Sequence, residues 1–151
     1  MEKKSLSIWK CGDSNHSLED LCGLIKQDEE IYIGTDSQPR TYQSIFVTTI
    51  CIYNPIDGVR YYWKKEKTEI PGTSIYQRLF KEINDSISIA LEINKISNLK
   101  IEIHADLNSN PKYASFALNS TAKSMVEGCG FRYRCKPHAW AASSAADWHT
   151  K

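Results

Sequence analysis

Short stretches of apolar residues, alternating or continuous, predict the strands of a sheet. The first is EIYIGTD at 30–36, which ends at a glycine and two polar residues. SIFVTTICIYN at 44–54 is the longest β-branched stretch, and a turn joins it to the alternating segment at 59–70. We therefore predict three strands linked by hairpins, followed by two later strands at 99–106 and 131–137.

Other segments have apolar residues at helical spacing. Ser17 is the predicted N-cap of a short first helix. A helix of about five turns is predicted over 74–93, where apolar residues recur every four positions. Further helices are predicted at 111–130 and, rich in alanine, at 139–151. The order α, βββ, α, β, α, β, α predicts an α/β fold with a mixed sheet and helices on its faces.

Charge and composition narrow the class of protein. The 151 residues include 19 Lys and Arg against 18 Asp and Glu, a net charge of +1, which argues against a protein that coats long nucleic acid by charge alone. Local basic segments at 59–67 and 131–137 still allow a binding patch. The longest uncharged stretch is too short to span a membrane, and no apolar segment follows the charged N-terminus. The five cysteines form no C-x-x-C pair, so we expect free thiols and a cytoplasmic location.

Two aspartates stand where predicted strands end. Asp36 ends the first strand and Asp106 ends the fourth, and each is followed by a loop. Ligand sites form outside the carboxyl ends of adjacent parallel strands, so these side chains are expected to face one crevice. The alternative for each is a turn former or the N-cap of a helix, because aspartate is common in both positions.

Two more acids are candidates for the same crevice. Glu82 lies at the edge of the apolar face of the long helix, where it would meet the sheet; alternatively it extends to solvent or pairs with Arg78 or Lys81. Asp147 follows a run of small residues in the terminal helix, and its alternative is an exposed acid near the end of the chain. Together the four carboxylates would suit Mg²⁺ or Mn²⁺, and without metal their repulsion should raise at least one carboxyl pKa.

Four motifs in this order resemble the YkuK-type branch of the ribonuclease H-like proteins. They are IYIGTDSQ, RLFKEINDS, IEIHADLNSNPKYAS and CKPHAWAASSAADWHT. The resemblance implies a five-stranded mixed sheet in the order 3-2-1-4-5, with strand 2 antiparallel and helices on its flanks. It runs from about residue 30 to the end of the chain, so we expect a ribonuclease H-like domain at 30–151 and a helical extension at 1–29 within one compact unit.

The resemblance also implies a function, a divalent-metal-dependent nuclease that hydrolyses RNA, DNA or RNA/DNA hybrid. Such enzymes hold two ions about 4 Å apart. Asp36 would bridge two Mg²⁺ or Mn²⁺ ions, Glu82 and Asp106 would bind one of them, and Asp147 would complete the other. His138 is a candidate to move a proton at the leaving group, although an exposed loop histidine is the simpler interpretation.

Polar residues beside these acids are candidates for binding the nucleic acid. Ser37 and Gln38 follow Asp36, and Asn108 and Lys112 lie in the loop after Asp106, where capping of the next helix is the alternative role. A protein of the same fold without turnover, binding nucleic acid or another protein, is the alternative function. The presence of all four acids favours the nuclease.

Overall fold

The computed structural model describes residues 8–113 and 115–141, in which one sheet of seven strands carries three α-helices. The strands are β1 (Trp9–Cys11), β2 (Ser14–His16), β3 (Glu30–Pro39), β4 (Ser44–Asn54), β5 (Gly58–Thr68), β6 (Ile101–Asn108) and β7 (Arg132–Lys136). The helices are α1 (Leu18–Gly23), α2 (Ile75–Ile96) and α3 (Phe116–Gly128).

The strand order is β2-β1-β5-β4-β3-β6-β7. From β5 to β7 this is the predicted order, with β4 antiparallel to both neighbours and β3 parallel to β6. The predicted number of strands is wrong, because the N-terminal segment adds the hairpin β1–β2 at the edge beside β5. These strands were not predicted because three residues are too few to show an alternating hydrophobic pattern. The hairpin turns at Gly12, whose φ of 56° is readily adopted by glycine.

Helices α2 and α3 cover one face of the sheet, α2 over β3, β4 and β6 and α3 over β6 and β7. Their apolar residues pack on those of the strands, as Ile87 and Val126 do against the cluster that contains Ile33 and Ile103. The predicted terminal helix lies largely outside the described residues. No helix in the described ranges is long and apolar enough to cross a membrane.

The N-terminal segment is packed into the same core. Trp9 is fully buried, and it belongs to the cluster that includes Leu21 of α1. Ser17 caps α1 as predicted, since its Oγ accepts a hydrogen bond from the Asp20 amide at 3.1 Å. At the end of the segment, Arg60 pairs with buried Glu29 at 2.7 Å, and this hydrogen bond lowers the pKa of Glu29 to about 2.

Substitution of Trp9 should therefore destabilise the whole domain. We expect Trp9→Ala to lower the free energy of unfolding by about 3–5 kcal/mol, because it leaves a cavity in the core. The neighbouring Ile8 is 58% exposed, so Ile8→Ala is the matched control and should change little. Denaturant unfolding followed by circular dichroism measures both. An unchanged main transition in Trp9→Ala would show that the N-terminal segment folds independently.

Candidate active site

Asp36 and Asp106 lie near the carboxyl ends of the two parallel strands β3 and β6, but neither ends its strand as predicted, because β3 continues to Pro39 and β6 to Asn108. The aligned pairs between these strands run from Ile31–Ile101 to Gly34–His104, so both aspartates follow the last aligned pair by two residues. The pairing of β6 with β7 is irregular between His104 and Asn108, which includes Asp106. Such irregularities redirect side chains and are common beside functional sites.

Glu82 approaches this crevice from α2 and is 6% exposed, so it does not extend to solvent. Its Oε2 accepts a hydrogen bond from Ser37 Oγ at 3.2 Å. Arg78 Nη1 donates to the same Ser37 Oγ at 2.9 Å, and its Nε donates to the Gly72 carbonyl at 3.1 Å. The serine hydroxyl thus links a cation on α2 to the carboxylate one turn further along the helix. Lys81, the other predicted partner, pairs instead with Glu66 and Asp85.

The three acids act on one another electrostatically. Burial raises the pKa of Glu82 well above its ordinary value of 4.5, and the charges of Asp36 and Asp106 raise this pKa further. The Ser37 hydrogen bond and the Arg78 charge oppose that rise. At least one carboxyl pKa is therefore raised, as the sequence predicted for such a cluster without metal. We call Asp36, Glu82 and Asp106 the carboxylate cluster.

Lys136, at the end of β7, belongs to this site although the sequence did not indicate it. Its Nζ lies 2.7 Å from Asp106 Oδ1, a buried oxygen, so the contact is an ion pair with a charge-assisted hydrogen bond. The pKa of Lys136 is raised, first by Asp106 and also by the charges of Asp36 and Glu82. The ammonium therefore compensates part of the charge of the whole carboxylate cluster.

His104 ties the sheet to the segment that leads toward the chain end. Its Nδ1 accepts hydrogen bonds from the backbone amides of Trp140 and Ala141, both at 3.2 Å, and its Nε2 lies 2.9 Å from Glu102 Oε1. Because Nδ1 accepts from two amides, the ring proton lies on Nε2, facing Glu102, and burial favours this neutral form by lowering the pKa of His104. This histidine is a structural anchor for residues that precede Asp147, which itself lies outside the described residues.

The other predicted residues occupy separate places. Gln38 is half-buried near the end of β3, two residues after Asp36. The backbone amide and the side chain of Asn108 both donate to Ser115 Oγ, so Asn108 organises the loop before α3. Lys112 is exposed, with its ammonium over the ring of Tyr113. His138 follows β7 and lines a cavity beside α3.

The residues present suit a divalent ion in their chemistry. A buried carboxylate oxygen in contact with an ammonium, and a glutamate whose pKa is raised by two like charges, mark a place where a cation would be stabilised. Among residues 8–113 and 115–141, no group of three or more His, Cys, Asp or Glu side chains is arranged to hold a metal ion. The fourth predicted ligand, Asp147, is not among those residues.

The raised pKa of Glu82 predicts a dependence of stability on pH. A carboxyl whose pKa is raised by folding stabilises the protein fully below 4.5, and this contribution is lost as the pH rises toward the higher pKa of the folded state. Without metal, stability of the parent should fall in this window by at most about 1.4 kcal/mol per pH unit. Glu82→Gln should flatten this fall, whereas Glu92→Gln, an exposed control on the same helix, should not. Parallel curves for the parent and Glu82→Gln, measured by urea unfolding with a chelator, would contradict the prediction.

Comparison with known proteins gives one family. A family profile described as Ribonuclease H-like matches residues 17–151, which include the carboxylate cluster, α1 and the whole sheet from β3 to β7. Comparison with curated proteins and with solved structures gives no match. The matched region begins before residue 30, where the motif resemblance begins, and it supports the resemblance to the YkuK-type branch. The chain belongs to the Ribonuclease H-like family.

Proposed function

We propose that this protein is a divalent-metal-dependent nuclease that hydrolyses phosphodiester bonds of RNA, DNA or an RNA/DNA hybrid. The observation that carries the proposal is the burial of Glu82 where the charges of Asp36 and Asp106, near the ends of two parallel strands, raise its pKa. Placing like charges around a buried carboxylate destabilises a fold, and a function that uses a cation explains why they are grouped. Membership of the Ribonuclease H-like family supports the same reaction class.

The proposed cofactors are two Mg²⁺ or Mn²⁺ ions, with Asp36, Glu82 and Asp106 as ligands and Asp147 as the fourth. Bound there, the ions would supply charge stabilisation at the phosphate and a water nucleophile of lowered pKa. The hydrogen bond from Ser37 orients the Glu82 carboxylate, and Arg78 orients Ser37 in turn. Lys136 neutralises Asp106 in the metal-free protein and offers its ammonium to a substrate phosphate once Asp106 has another cation beside it.

The remaining candidates serve the substrate. His138 would protonate the leaving oxygen, a role that contributes on the order of 10²–10⁴-fold where water does not replace it. Lys112 and Gln38 would contact the phosphate backbone near the carboxylate cluster. Asn108 would act through the loop that it organises with Ser115, since its amide and side chain are already engaged there.

A module that binds nucleic acid or protein without turnover is the second candidate. The observation that favours it is the ion pair between Lys136 and Asp106, because an internal ammonium already compensates part of the charge that a metal would neutralise. Such a module would keep the fold and the basic residues and would not hydrolyse a bound nucleic acid.

The nuclease proposal makes a sharp prediction for Asp36. With Mg²⁺ or Mn²⁺, the parent should cleave at least one of labelled RNA, DNA and hybrid, and Asp36→Asn should abolish cleavage while binding persists. The control is Asp57→Asn, an exposed carboxylate in the turn between β4 and β5, which should keep full activity. Removal of the metal with a chelator should stop cleavage by the parent.

Thermal unfolding separates a ligand role from a general effect on the fold. Metal-free Asp36→Asn should be as stable as the parent or more so, because one repelling charge is gone. Added Mg²⁺ or Mn²⁺ should raise the melting temperature of the parent and raise that of the variant much less. Full activity of Asp36→Asn would refute the nuclease mechanism. Binding by the parent without any cleavage would favour the binding module.

A further inference from the structure

A cavity of about 680 Å³ lies beside α3 and β7. Its volume is in the range of sites that bind small ligands, about 300–1,000 Å³. Ser109, in the loop after β6, and His138, in the turn after β7, also line it.

The floor of the cavity is joined to the carboxylate cluster by hydrogen bonds. Tyr133 donates its hydroxyl to Asn119 Oδ1 at 2.5 Å, and Asn119 Nδ2 donates to the Asn108 carbonyl at 3.1 Å. Ser109 Oγ donates to the carbonyl of Lys136 at 3.4 Å, and the ammonium of Lys136 pairs with Asp106. The lining of the cavity is therefore tied to Asn108, which follows Asp106 in the chain, and to Lys136, which pairs with Asp106.

The charge of the cavity favours an anion. Lys123 and Arg134 line it, and among residues 8–113 and 115–141 no Asp or Glu does. The 4.0 Å contact of Lys123 with Glu127 joins two side chains that are 60% and 53% exposed, and surface pairs of this kind contribute little, so the ammonium can pair with a ligand. Arg134 Nε lies 2.5 Å from Glu102 Oε1 in an ion pair. A guanidinium has four further N–H groups that can contact a ligand.

The wall also offers an aromatic ring. Phe116, at the start of α3, is 42% exposed and lines the cavity beside the hydroxyl of Ser120. An exposed ring next to cations is the combination that binds single nucleotides, because the base stacks on the ring and the phosphate pairs with the cation.

We propose that this cavity binds one nucleotide of the substrate strand, the neighbour of the phosphate that is cleaved. Its base stacks on Phe116, and its phosphate pairs with Lys123 and Arg134. His138 and Ser109 stand between this nucleotide and the carboxylate cluster. The assignment rests on the proposed nuclease function, but the cavity's affinity for a nucleotide can be measured without metal and without cleavage.

Adenosine 5′-monophosphate in the presence of a chelator is the direct probe, with adenosine and inorganic phosphate as separate arms. By calorimetry, the parent should bind the nucleotide more tightly than either part. Phe116→Ala should weaken binding of the nucleotide and of adenosine about tenfold, the effect of losing one stacked base. Lys123→Ala should weaken binding of the nucleotide and of phosphate. The matched control for Phe116→Ala is Tyr53→Ala, an aromatic residue that is 38% exposed and lies at the other end of the sheet. The matched control for Lys123→Ala is Lys95→Ala, an exposed lysine near the end of α2.

The outcomes separate this inference from the nuclease proposal. No nucleotide binding at millimolar concentration, or equal binding by the parent and Phe116→Ala, would overturn the nucleotide site even if the parent cleaves. Binding that depends on Phe116 and Lys123 and persists in Asp36→Asn supports the site even if no cleavage is found. Where cleavage is found, Phe116→Ala should raise KM about tenfold on a short single-stranded substrate, and Tyr53→Ala should not.

Discussion

The arrangement of this protein depends on three like charges grouped around one buried carboxylate, that of Glu82. Glu82 is almost completely buried, and the charges of Asp36 and Asp106 raise its pKa in addition to the effect of burial. Three contacts reduce the destabilisation that this grouping of charges causes. Ser37 donates to the glutamate, Arg78 supports Ser37, and Lys136 pairs with Asp106. Each of the three residues comes from a different element, so the cluster is stabilised only when β3, α2 and β7 are packed together.

The same dependence explains the shape of the surrounding fold. The parallel pair β3 and β6 brings two strand ends together, and α2 crosses them on one face, where Thr35 Oγ1 and Ser86 Oγ lie 2.8 Å apart. On β6, His104 holds the amides of Trp140 and Ala141. The loop after Asp106 is joined to α3 and β7 by Asn119 and Ser109, so the cavity beside the cluster shares its supports.

Most strands and helices could be predicted from the sequence, because long elements carry a clear hydrophobic pattern. Long β-branched or alternating stretches predicted the strands from β3 to β7 along the chain, and the family resemblance implied their order in the sheet. Helical periodicity placed Glu82 at the edge of the apolar face of α2 and left both the sheet and solvent open to it; the structure buries it. Lys136 could not be predicted as the partner of Asp106, because the pairing depends on an irregular register between β6 and β7. The hairpin β1–β2 was not predicted, because strands of three residues are too short to show an alternating hydrophobic pattern. The role of His104 could not be predicted either, because it depends on backbone amides that are distant in sequence.

The most direct test of the account is the titration of the Glu82 carboxyl itself, followed by carbon NMR on protein labelled at glutamate side chains and assigned with Glu82→Gln. The account predicts a pKa well above 4.5 in metal-free protein, and a marked fall of that pKa when Mg²⁺ is added, because a bound cation stabilises the charged form. An ordinary pKa without metal would contradict the buried cluster. A raised pKa that Mg²⁺ leaves unchanged would contradict Glu82 as a metal ligand.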